Sequence, residues 1–74
     1  MKTVIEILMD IRPESDFQNS DDYIGEGLLD SFDVVTLVND LDKNFGISIE
    51  GVDILPSNFQ NAAAIEALLR KYGV

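Results

Sequence analysis

Residues 27–35 read GLLDSFDVV, and in them one hydroxyl, Ser31, is set beside two carboxylates, Asp30 and Asp33, and flanked by bulky apolar residues. Three chemistries would use such a hydroxyl: attack as a nucleophile, capping of a helix, or the holding of an anionic group. Attack needs a base within hydrogen-bond reach. The sequence contains no histidine, and neighbouring acids discourage an alkoxide. Capping is contested by Asp30, and a box begun by Ser31 would want Glu or Gln three residues on, where Val34 stands. The first helical position suits Ser31 better, with its side chain pointing outward near unpaired backbone N–H groups. A phosphodiester is electrostatically welcome there.

A second candidate is the run DLDKN at residues 40–44, which begins like a calcium loop. The pattern fails at once. Phe45 stands where the loop needs glycine, and Gly51 where it needs the closing glutamate. These residues fit the end of a helix instead, and no metal site is expected.

The elements that must position Ser31 follow from periodicity. Val4, Ile5, Leu8 and Ile11 repeat at three and four, widened by Ile7 and Met9, which predicts a helix over residues 2–11. Pro13 ends it at or before Arg12. Residues 14–26 are dense in Ser, Asn, Asp and Gly and read as a long loop, anchored by Phe17, Tyr23 and Ile24. A second helix spans residues 31–45, capped by Asp30 and stopped by Gly46. Its core stripe is Val34, Leu37, Val38, Leu41 and Phe45; beside it runs a mixed stripe of Phe32, Val35, Thr36, Asn39 and Asp42. One core stripe does not need Phe32 and Val35 as well, and this surplus apolar surface adjoins Ser31. An extended connection with a helical turn near residues 56–59 leads to a last helix, residues 62–72. Asn61 caps it; Ile65, Leu68, Leu69 and Tyr72 form its apolar face, and Gly73 stops it. The pattern is a small all-α bundle with one long first connection, a single domain over residues 1–74.

Composition limits the function. Seventy-four residues leave little room for an enclosed active site, and the absence of cysteine rules out disulfides and thiolate metal sites. No apolar run approaches a membrane span and the first residues lack a signal-peptide layout, so a cytoplasmic protein without membrane insertion is expected. The net charge is −9, and residues 14–53 hold eleven acids against Lys43 alone. Such a surface repels nucleic acid and favours basic protein patches.

Taken together, GLLDSFDVV, the helix running to FGI, and ILPSNFQNAAAIEALL resemble the acyl carrier proteins and their aminoacyl and peptidyl carrier relatives. The resemblance implies a four-helix bundle with a long first loop and a short third helix. It implies a 4'-phosphopantetheine arm, taken from coenzyme A by a phosphopantetheinyl transferase and joined to Ser31, with Asp30 as the cap beside it. The arm's thiol would carry acyl or aminoacyl groups, which explains thioester work by a cysteine-free chain. The protein would be a non-catalytic carrier, acting as a monomer between an activating ligase and acyl-transferring or condensing enzymes with basic docking patches. Carried over onto this sequence, the contacts are Phe32, Asp33, Val35, Thr36 and Asp42, with Glu50 and Asp53 as acidic support. Thr36 stands where fatty-acid carriers have glutamate, and GEGLLDSF looks more like carriers served by adenylating ligases, D-alanyl carriers included. The alternative is an acidic helical interaction module without a prosthetic group.

Overall fold

The computed structural model describes residues 2–74. It contains three α-helices, α1 (Val4–Ile11), α2 (Ser31–Phe45) and α3 (Ala62–Lys71), with single 3-10 turns at Phe17–Asn19, Gly51–Asp53 and Pro56–Asn58. Among the described residues there is no strand, and no helix is long and apolar enough to cross a membrane.

Each helix starts on a side-chain cap. Thr3 and Glu6 form a reciprocal capping box, which sets the start of α1 at Val4, two residues inside the predicted limit. Arg12 closes the helix, where the following Pro13 forbids α geometry. Asn61 Oδ1 accepts the Ala64 N–H at 2.8 Å and opens α3. At the end of α2, Gly46 takes the left-handed conformation, φ 64°, which costs a side-chain-bearing residue about 1–2 kcal/mol.

The core is shared by every segment. Leu8 of α1, Leu37 and Leu41 of α2, Ile65 of α3 and Phe59 of the last connection are fully buried together. Helix α1 packs on both α2 and α3. Met9, expected to widen the apolar stripe of α1, is exposed on its outer side.

The long first connection is fastened through Tyr23. Its ring lies edge-on to Phe17, with centroids 5.0 Å apart, and its hydroxyl donates to the Phe17 carbonyl at 2.8 Å. Its backbone N–H donates to Gln60 O at 2.7 Å, and its carbonyl accepts from the N–H groups of Leu28 and Leu29. A buried tyrosine with its polar groups paired holds the loop at both ends. The anchoring expected of Phe17 and Tyr23 is observed; the 3-10 turn that begins at Phe17 was not anticipated.

Where a short third helix was expected, the chain makes two 3-10 turns separated by Ile54 and Leu55. Pro56 is the reason. It has no N–H to donate and drives Leu55 to extended geometry, φ −115° and ψ 144°, so a helix begun at Gly51 cannot propagate through it. The turns are held by side chains instead. Asp53 is buried at 9 % exposure; its carboxylate accepts Lys71 Nζ at 2.8 Å and the Tyr72 hydroxyl, which in turn accepts the Glu50 N–H at 3.0 Å. Tyr72 thus closes a polar link in addition to its expected packing.

Two outcomes test this construction. Tyr23→Phe leaves the Phe17 carbonyl unpaired in the core and lowers unfolding stability by about 1–3 kcal/mol, read as a lower urea midpoint at unchanged slope. The hydrogen bond from Lys71, then that from Tyr72, holds the Asp53 carboxyl below the usual aspartate range against the opposing effect of burial. A depressed folded-state pKa gives stability that is complete above the ordinary aspartate value and lost as pH falls through the depressed one. Asp53→Asn therefore destabilises at neutral pH, and its deficit relative to wild type shrinks as pH falls below the ordinary aspartate value.

Candidate functional site

Ser31 is the first residue of α2 and is exposed. Two neighbouring aspartates build the helix start around it. Asp30 Oδ1 accepts the Asp33 N–H at 2.9 Å, and Asp33 Oδ2 accepts the Asp30 N–H at 3.1 Å. The sequence placed Asp30 as cap and Asp33 near the helix dipole; the reciprocal box between them is a further finding, because aspartate at its fourth position is less usual than Glu or Gln. Leu29 and Val34 occupy the staple positions on either side of the cap and both enter the core, which fixes the angle at which the chain reaches Ser31. Before them Gly27, φ 77°, makes the turn that delivers the two leucines to the Tyr23 carbonyl.

The box leaves something over. Among the described residues, the N–H groups of Ser31 and Phe32 have no protein acceptor and the Ser31 hydroxyl has no hydrogen-bond partner. Free N–H groups at the positive end of a fifteen-residue helix, beside an exposed hydroxyl, form a setting suited to an anion carried on that hydroxyl. Among the described residues, the hydroxyl is bonded to neither of the carboxylates beside it.

Arg12 completes the site, and sequence reasoning had used it only as a helix terminus. Its guanidinium lies 2.7 Å from Asp33 Oδ2, 3.4 Å from Asp30 Oδ2 and 3.7 Å from Glu14 Oε1. Burial pushes the Asp33 carboxyl up, but the hydrogen bonds from Arg12 and the Asp30 N–H, with the Arg12 charge, outweigh it and hold the group below the usual range. One cation thus offsets part of the negative charge that would repel an anion placed at Ser31. The only hint in the sequence was an isolated base just ahead of an acidic stretch.

Beside Ser31 opens an apolar cleft of about 310 Å³ between α2, through Val34 and Val35, and the Ile54-Leu55-Pro56 segment. That opposite wall had no periodic signature, because it is the extended link between two turns. A 4'-phosphopantetheine arm fits these residues: the exposed hydroxyl would hold it, the free N–H groups would face its phosphate, and the cleft lies alongside.

The expected contact residues separate into two groups. Phe32 is 82 % exposed and Val35 57 % exposed; Thr36 is also exposed, its hydroxyl donating to the Phe32 carbonyl at 3.1 Å. These stand on one face with Ser31. Glu50 is exposed but lies on the connection beside Tyr72. The other acids are engaged inside the fold. Asp33 belongs to the box; Asp42 is half-buried, and its Oδ1 accepts the Ile49 N–H at 3.0 Å, pinning the extended connection to α2. Asp53, expected as acidic support, is buried and bonded to Lys71 and Tyr72, so little of its carboxylate faces outward. Residues 40–44 are helical, as their fit to the end of α2 required, and no group of three or more potential metal ligands occurs among the described residues.

A family model described as the phosphopantetheine attachment site matches residues 2–69. No curated protein and no solved structure matches the chain. Carrier domains of this family are in general non-catalytic, and they work with phosphopantetheinyl transferases and biosynthetic enzymes. The match covers α1, α2 with the serine at its start, and most of α3, and the chain belongs to the phosphopantetheine attachment-site family, that of the acyl carrier proteins, whose covalent cofactor is 4'-phosphopantetheine.

Proposed function

We propose that the chain is one carrier unit that holds acyl or aminoacyl groups on a 4'-phosphopantetheine arm joined to Ser31, passing them between separate cytoplasmic enzymes of a specialised pathway. The observation that carries this reading is the exposed Ser31 hydroxyl at the first position of α2, beside two N–H groups free to face a phosphate. When bound, the arm supplies a thiol that forms a thioester with the cargo. The protein's own part is to present and to orient. The Asp30–Asp33 box holds the start of α2 in one geometry, Arg12 offsets the adjoining negative charge, and the apolar cleft lies where an attached chain can rest. Thr36, in place of the acid of fatty-acid carriers, and the GEGLLDSF approach favour a ligase-charged, aminoacyl-type cargo. The bundle acts as a monomer in this account, and its third segment, the paired turns, serves as the short third helix of the four-helix plan.

Incubation with coenzyme A and a broad-specificity phosphopantetheinyl transferase adds one pantetheinyl group by intact mass, and Ser31→Ala abolishes the addition. An increment that survives Ser31→Ala contradicts the assignment. Arg12→Ala, which leaves two carboxylates unneutralised beside the incoming phosphate, slows loading by about fivefold, equivalent to about 1 kcal/mol. Arg12→Lys restores most of the loading rate. Because Arg12 is partly exposed, the accompanying loss of fold stability is small.

A further inference from the structure

The partners of Arg12 use only part of what it can donate. Its Nη2 meets both aspartates, Asp33 Oδ2 at 2.7 Å and Asp30 Oδ2 at 3.4 Å. Nη1 lies 3.7 Å from Glu14 Oε1, beyond hydrogen-bond distance, and neither Nη1 nor Nε donates a hydrogen bond among the described residues. The two aspartates are also unequal. The Asp33 side chain is 14 % exposed and makes the short contact; that of Asp30 is 59 % exposed and makes the long one. Asp30 directly precedes Ser31, and the two line the same cleft. Donors from the end of α1 and from the start of α2, where the Ser31 and Phe32 N–H groups are open, thus gather at one residue pair. A phosphodiester on Ser31 would add negative charge close to Asp30 and Asp33, and the repulsion would cost stability if Arg12 stayed as it is. Its open N–H groups reverse that outcome. A guanidinium can hold a carboxylate on one edge and a phosphate on another, and such charge-assisted bonds are about twice as strong as neutral ones. The contact that is cheap to give up is the long, exposed one to Asp30.

We propose that Arg12 is a ligand of the phosphate carried on Ser31: its guanidinium keeps Asp33, gives up Asp30 and donates to a phosphate oxygen, so that modification ties the end of α1 to the start of α2. The inference rests on the reading of Ser31 as the attachment point. Arg12 is held ready for this because it caps α1 immediately before Pro13, which fixes where the chain leaves the helix. The fold then registers its own modification, with a tighter junction between α1 and α2 in the loaded form than in the unloaded one.

The test compares thermal midpoints of the full chain before and after loading from coenzyme A by a broad-specificity phosphopantetheinyl transferase, run until intact mass shows complete conversion. At low salt, loading raises the wild-type midpoint by about 3 °C, and about 1 M salt removes most of the gain. In Arg12→Ala, loading leaves the midpoint unchanged or lowers it, because the new charge meets Asp30 and Asp33 without their cation. Arg12→Lys, whose compact ammonium lacks a second N–H edge, recovers about half of the gain. Each variant is compared with its own unloaded form, so the effect of the substitution on the fold itself cancels. An arginine that only braced the two helices would leave the gain the same in wild type and Arg12→Ala. A gain in Arg12→Ala of at least half the wild-type value, or no gain in wild type, overturns the phosphate contact and leaves the attachment reading intact. A wild-type chain that takes up no pantetheinyl group overturns both.

Discussion

The guanidinium of Arg12 bridging Asp33 and Asp30 is the contact on which the rest of the site depends. It joins the residue that caps α1 to the first turn of α2, so the end of one helix sets the start of the next. Without it, the capping box would hold two like charges with no cation beside them. With it, the box saturates two of the N–H groups at the helix start and leaves those of Ser31 and Phe32 open. Both restraints on Ser31 are local, yet each depends on a distant residue. Arg12 reaches its place because Pro13 stops α1 there, and Leu29 because Tyr23 ties residues 28 and 29 to the loop.

Charge in this small fold is divided between two uses. Asp33, Asp42 and Asp53 are structural, each accepting a hydrogen bond that fastens a helix end or a connection. The acids of residues 14–26 are exposed, and they give the molecule its long-range field. A count of acids along the chain cannot separate these uses, since both appear as negative charge. Their separation explains how a strongly acidic carrier can present an apolar face around Ser31.

Much of the architecture was legible from residues alone. The 3-4 spacing of Val34, Leu37, Val38 and Leu41, with Asp30 before and Gly46 after, defined α2 to its observed bounds, because a long amphipathic stripe with both caps has few alternatives. Ser31 at the first helical position followed from the competition for the cap. The link through residues 47–58 was less legible. Short turns leave no periodic trace, and the apolar residues Ile54 and Leu55 line a cleft rather than a core. The internal pairings of Asp53, Asp42 and Arg12 were not legible for one shared reason. Their partners, Lys71 and Tyr72, Ile49, and Asp33, lie seven to twenty-one residues away in sequence, and pairings of that kind are made only when the helices pack.

Ser31 stands on a helix start fixed by its capping box, with two unclaimed N–H donors and a pair of acids bridged by one guanidinium. The most direct measurement is peptide-level fragmentation mass spectrometry of the chain isolated from its own cells. A phosphopantetheine group localised to Ser31 is the predicted result. A population in which Ser31 is always unmodified, or in which the group sits on another residue, would contradict the account.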